Sequence, residues 1–212
     1  MRIILKPLGA VVVGSAMVIL AIMAVRGRQP GESNPAVATS SVTAPPSLSA
    51  GPKMASADPG AVVYDDALKN GWGDFSWAKH DTADTKRSAP GRCIRVESKQ
   101  FEAVAFNHAP LSVAPYDRIT FRIHGGDKGG QRLKVVAQYG SDKDVKNGTE
   151  HLLPTLASDE WKTVTVTLES LGIAGKNNVT SFWIQEGYGV TLTPYFVDDM
   201  RFLRPNETAP DS

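Results

Sequence analysis

Two stretches of this chain carry an apolar residue at every second position, and that period limits the structures it can adopt. Residues 116–124, YDRITFRIH, set Ile119, Phe121 and Ile123 against Arg118, Thr120 and Arg122. Residues 161–168, WKTVTVTL, set Val164, Val166 and Leu168 against Thr163, Thr165 and Thr167. A period of two collects each set on one face of a strand, whereas a helix would scatter both around its axis. The β-branched and aromatic content fits the same half-buried strands. Further strands are expected at Val62–Asp65, Cys93–Glu97 and residues 103–107, 132–139, 181–185 and 195–202. Turn-forming clusters separate them: HGGDKGG at 124–130, KNG at 146–148 and GIAGKNN at 172–178. No stretch holds a helical period. The expected fold is all-β, an antiparallel β-sandwich of jelly-roll type. Strands do not alternate with helices, which excludes a parallel nucleotide-binding sheet. HGGDKGG leads into a strand, so it lacks the helix N-terminus that a phosphate loop needs.

The 212 residues divide by composition into four parts. In 1–28, Arg2 and Lys6 precede an uncharged apolar segment at 8–25. It approaches the roughly 20 residues that span a bilayer as a helix and exceeds the about 7–15 of a secretory h-region. The segment reads as a hydrophobic helix, either a signal anchor that holds the protein at the membrane or a signal peptide that exports it, and in both cases it places the rest in the periplasm or outside the cell. No lipobox cysteine follows it. Residues 29–59 are rich in Pro, Ser, Ala and Thr and read as a disordered, flexible linker. Residues 60–204 form the sandwich, and 205–212 read as a disordered tail. A net charge of +1 without a Lys/Arg cluster excludes an electrostatic footprint for nucleic acid. Cys93, the lone cysteine, can form neither an intramolecular disulfide nor a zinc site, and reads as a small buried strand residue.

The order of the motifs points to a family. VVYDDALKNGWGDFSW (62–77), ITFRIHGGDKGGQRLKV (119–135) and YFVDDMRF (195–202) resemble the galactose-binding-like, carbohydrate-binding jelly rolls attached to bacterial polysaccharide-degrading enzymes. The resemblance covers nearly all of the block. It implies a non-catalytic sandwich that binds a polysaccharide, here a cell-envelope glycan or exopolysaccharide, often with a structural calcium ion.

The residues supply candidates for such a role. Pyranose rings stack their apolar C–H faces on flat aromatic rings while a few polar groups fix orientation. Trp72, Phe75 and Trp77 lie within six residues, and Trp183 and Tyr188 can extend a platform. Trp183 is out of phase with Phe182 and Ile184, so if those face the core, Trp183 faces outward. Gln185 is a candidate hydrogen-bond partner for sugar hydroxyls, with Gln138, Glu186 and His124 in weaker positions. The four histidines show no paired metal spacing. Two acidic pairs bracket the block, Asp65-Asp66 and Asp198-Asp199. First and last strands of a jelly roll often adjoin, and strand alternation lets one member of each pair serve, so Asp66 and Asp199 are the candidate calcium ligands. The same acids as a glycosidase pair would need a buried carboxyl in a cleft, of which the sequence gives little sign. The rival reading is a structural or assembly protein whose sandwich binds a protein partner. Exposed aromatics flanked by polar residues favour sugar, and a broad aliphatic patch favours protein.

Overall fold

The computed structural model describes residues 61–209 apart from Ala89 and Asp142. The apolar segment at 8–25 and the linker at 29–59 lie outside the described residues. Two antiparallel sheets face each other across one core.

Sheet A runs β11 (Trp161–Thr167), β7 (Arg118–His124), β13 (Tyr195–Leu203), β1 (Val62–Asp65) and β2 (Ala67–Leu68). β5 (Cys93–Glu97) also pairs with β13, and β4 (Lys79–Asp84) pairs with β5. β13 thus has β7 on one side and two successive partners on the other. β5 pairs with its first residues, at Tyr195 to Val197, and β1 pairs with Met200 and Arg201. Between these halves the register shifts, and Asp199 takes a left-handed φ of 47°. Sheet B runs β10 (His151–Leu152), β8 (Leu133–Tyr139), β12 (Val179–Glu186), β6 (Ala103–Leu111) and β3 (Gly73–Asp74), with β9 (Lys146–Asn147) also on β8.

The alternation seen in sequence sorts the two faces of sheet A. Ile119, Phe121, Ile123, Val164 and Val166 enter the core, and Thr163, Thr165 and Thr167 are exposed. Thr120, though out of phase with the core, is also buried, and its hydroxyl donates to the Val164 carbonyl at 3.0 Å. Sheet B contributes Val104, Phe106, Val135, Phe182 and Ile184. Each such side chain contributes about 1.5–3 kcal/mol by leaving water. β4, KHDTAD, has no apolar period to reveal it. Its antiparallel pairing sets Lys79 opposite Glu97 and Asp81 opposite Arg95, so cross-strand charge complementarity stands in for hydrophobic patterning. The first residues of the expected disordered tail turn back, with Arg204 N–H donating to the Glu207 carboxylate at 2.8 Å.

Candidate functional site

The outward face of sheet B carries the aromatic and amide groups named above. Phe182 and Ile184 lie in the core, so Trp183 projects from the opposite side of β12. Its strand neighbours are Ala105 on β6 and Val136 on β8. Both are buried without belonging to the central core, as is Ala103. These small residues form a floor that large outer rings cover. Trp77, 41 % exposed, meets Trp183 edge to face, with centroids 6.0 Å apart and planes at 61°. The carbonyl of Phe101 accepts from Trp77 Nε1 at 3.0 Å and from Gln185 Nε2 at 2.7 Å. Trp183 Nε1 donates to Gln185 Oε1 at 3.3 Å. A second polar series crosses three strands: Ser181 Oγ donates to Gln138 Oε1, and Gln138 Nε2 donates to Asn147 Oδ1, both at 3.2 Å. The face thus sets two tryptophans beside a ladder of amides and hydroxyls whose remaining lone pairs and N–H groups can serve a polyhydroxylated ligand.

Two turns close one end of this face, and Glu186 holds them together. Its side chain is buried. Oε1 accepts from Tyr188 N–H at 2.6 Å, and Oε2 accepts from Phe101 N–H at 3.0 Å and Gly189 N–H at 2.8 Å. Burial opposes the charged form, yet these backbone donors outweigh it and hold the carboxyl below the ordinary range. Glu186 is therefore a structural clamp with its oxygens turned inward. The clamp presents Phe101, 56 % exposed at a φ of 59°, and Tyr188, 43 % exposed. The Arg132 guanidinium stacks 3.4 Å from the centroid of the Tyr188 ring. Phe101 escaped the sequence reading because it stands in a turn, KQFE, with no strand period to give it a face. Its aromatic type next to an expected strand start was the available signal.

At the other edge, His80 Nε2 meets Asp74 Oδ2 at 2.6 Å and closes the segment that carries Trp77. Burial works against the imidazolium, but the Ala78 carbonyl and the Asp74 carboxylate together raise the His80 pKa. That contribution to stability is present below the unfolded pKa of about 6.5 and is lost as pH rises through the folded value.

The remaining sequence candidates lie elsewhere. Trp72 is 5 % exposed and packs between the sheets, with His108, Phe182 and Phe202 rings at 5.0, 5.3 and 6.1 Å. Both expectations of an outer role for Trp72 and a hydroxyl-binding role for His124 meet the same correction, because each ring is enclosed. His124 is buried among Trp161 and Phe196, and its Nδ1 accepts from Gly126 N–H. Cys93 is buried, and burial pushes its thiol up to about 12, so it stays protonated at neutral pH. Asp66 Oδ1 accepts from Arg92 N–H at 2.5 Å. Asp199 faces Arg122 at 3.5 Å and Arg201 at 3.7 Å, two cations that oppose a metal ion. Asp198 is the buried member of its pair. Burial pushes its carboxyl up, and Ser88 Oγ donates to it at 2.7 Å. The alternation that would set Asp198 and Asp199 on opposite faces does not hold here, because the register shift in β13 interrupts it. Among the described residues no group of three or more His, Cys, Asp or Glu is placed to hold a metal.

No family model matches the chain. A Dictyostelium discoideum protein described as an endoglucanase is 25 % identical over an alignment of 149 residues that covers 65 % of this chain and 20 % of that protein. The chain therefore spans about a fifth of that relative. Among solved structures, a family 11 carbohydrate-binding module from Clostridium thermocellum in complex with a β-1,3-1,4-mixed-linked tetrasaccharide superposes with a TM-score of 0.52 at 16 % identity, covering 68 % of this chain and 95 % of that one. The family 11 module of the C. thermocellum cellulosomal cellulase Lic26A-Cel5E gives 0.50 at 17 % identity, covering 68 % and 93 %. The likeness read from the motifs is thus present in three dimensions as a shared fold: this chain forms a β-sandwich of the kind seen in carbohydrate-binding modules.

Proposed function

We propose that the sandwich binds a polysaccharide chain across the outward face of sheet B and leaves its bonds intact. The observation that carries this reading is the placement of Trp77 and Trp183 together on one sheet face beside Gln185, Ser181, Gln138 and Asn147. Aromatics flanked by amides support a sugar ligand over a protein partner, which would call for a broad aliphatic patch. The 61° between the two rings matches a single, twisting chain better than a flat crystalline surface, which needs coplanar rings. A non-catalytic role agrees with the acids of this region. Glu186 is clamped inward by backbone N–H groups, and Glu150 pairs with Lys134 at 2.6 Å. Asp198, whose carboxyl is pushed up, belongs to sheet A.

Titration calorimetry of the protein against a polysaccharide panel tests the reading. Saturable binding is expected, and Trp183→Ala is expected to weaken it by about 30-fold or more, the scale of a buried tryptophan anchor. Affinity unchanged in both Trp183→Ala and Trp77→Ala would remove the face from consideration. Failure of the folded protein to bind any glycan would transfer the argument to a protein partner.

A structural calcium ion belongs to the same proposal, with Asp198 in place of Asp199. A Cβ at Gly91 would lie 2.6 Å from Asp66 Oδ1 and 3.1 Å from the Ser88 carbonyl oxygen, so oxygen donors converge above this glycine. Ser88 Oγ also touches the buried Asp198 carboxylate. Asp66, Ser88 and Asp198 offer the hard oxygens that calcium prefers, and the bound ion would compensate the buried charge and fix the β4–β5 loop. Calcium at about a hundredfold excess over its dissociation constant is expected to raise the melting temperature by about 5–10 °C, reversibly with chelator. An identical melting curve in calcium and in chelator would dismiss the ion.

A further inference from the structure

The polar groups near the two tryptophans are amides and hydroxyls with a Lys134 already paired to Glu150, but the closed end of the face has a different chemistry. Arg132 is exposed and lies flat on Tyr188. Lys99 is exposed in the same turn as Phe101. Neither side chain forms an ion pair among the described residues. The acids around them are committed. Glu186 accepts three backbone N–H groups, Glu102 Oε2 accepts from Lys99 N–H at 2.9 Å, and Glu150 pairs with Lys134.

Stacking covers one face of the guanidinium and leaves its edge donors free. Those donors form a planar fork that matches a carboxylate in two parallel hydrogen bonds, and the ring beneath fixes the fork in advance. Beside it, Phe101 offers an exposed ring to an apolar sugar face. Aromatic surface next to a pre-oriented cation is complementary to a pyranose carrying a carboxyl group.

We infer that Arg132, Tyr188 and Phe101 form a subsite for a uronate-type sugar, so that the polysaccharide taken by this face is anionic. The inference rests on the glycan reading above and specifies its substrate class. Lys99 adds positive potential at the same end, and the neutral amide ladder along β8 and β12 takes the uncharged hydroxyls of the neighbouring units.

The test measures the protein against matched pairs of polysaccharides, a glucan, a mannan and a galactan, each in neutral form and with its C6 hydroxymethyl groups oxidised to carboxylates. The carboxylated member of at least one pair is expected to bind about tenfold or more tighter, the scale of one charge-assisted bidentate contact. That advantage is expected to shrink in 0.5 M salt (about a 4 Å screening length) and to vanish in Arg132→Gln. Arg132→Gln should lower affinity for the carboxylated form far more than for the neutral form, and because it also removes the guanidinium stacked on Tyr188, its melting curve is recorded alongside to show that the variant folds. Equal binding of both forms, or an advantage that survives Arg132→Gln, overturns the acidic subsite while the glycan reading stands. Binding to neither form by folded protein overturns both.

Discussion

Trp72→Ala is expected to lower the unfolding free energy by about 3–5 kcal/mol, the range for deleting a large buried aromatic. The ring sits in a cage of His108, Phe182 and Phe202, so its removal leaves a void that three neighbours from both sheets cannot close without shifting strands. Its indole N–H is buried without a partner, which makes the loss one of packing rather than of hydrogen bonding. Trp183→Ala removes a ring of equal size from the outer face, where solvent can fill the space, and should cost much less stability. Urea unfolding of the two variants separates the roles: Trp72→Ala moves the midpoint, Trp183→Ala moves glycan affinity. A loss below about 1 kcal/mol in Trp72→Ala would contradict its place in the core.

Glu186→Gln is expected to cost about 2–4 kcal/mol despite its near-identical shape. Both carboxylate oxygens are used, one for Tyr188 and the other for Phe101 and Gly189. Glutamine retains one oxygen, so at least one N–H faces an amide N–H instead of an acceptor. A hydrogen bond to a charged group contributes about 1.5–3 kcal/mol, and a buried donor left unpaired adds a desolvation cost. The difference depends on pH with a definite sign. Because the folded pKa of Glu186 is held below its unfolded value, its stabilisation is complete above about pH 4.3 and fades as pH falls through the folded value. Wild type and Glu186→Gln should therefore differ most near neutrality and converge in acid, as read by urea midpoints across pH 2–7. A difference that stays constant over that range would show that the charge of Glu186 has no part in the clamp.

Sheet A strands β7 and β11 were legible because a period of two survives wherever one strand face is wet and the other dry. The same logic placed Trp183 correctly, since Phe182 and Ile184 define the inner face on either side of it. It failed for Trp72, which lies between β2 and β3 where no period gives it a direction, and the adjacent glycines read equally well as exposure or as close packing. It also misses the arrangement at Asp198 and Asp199, where one left-handed residue interrupts the alternation of the strand. The clamping role of Glu186 was not legible because its partners are backbone N–H groups, and backbone donors leave no mark in the sequence. β3, β9 and β10 are two residues each, too short to display any period.

The position of β13 bears on how the domain comes into being. It is the last of the described strands along the chain, yet it joins β7 on one side to β5 and β1 on the other. Twelve described strands therefore leave the ribosome before the member that unites sheet A, and the pairings that complete it link residues as far apart as Val62 and Arg201. Contacts this distant close slowly, and nothing earlier in the chain can take their place. A nascent chain held open in this way keeps sheet A divided until β13 is delivered, after which its strands lock in one cooperative step. The connectivity of the sandwich thus acts as a timer, postponing the closure of sheet A until β13 has been made.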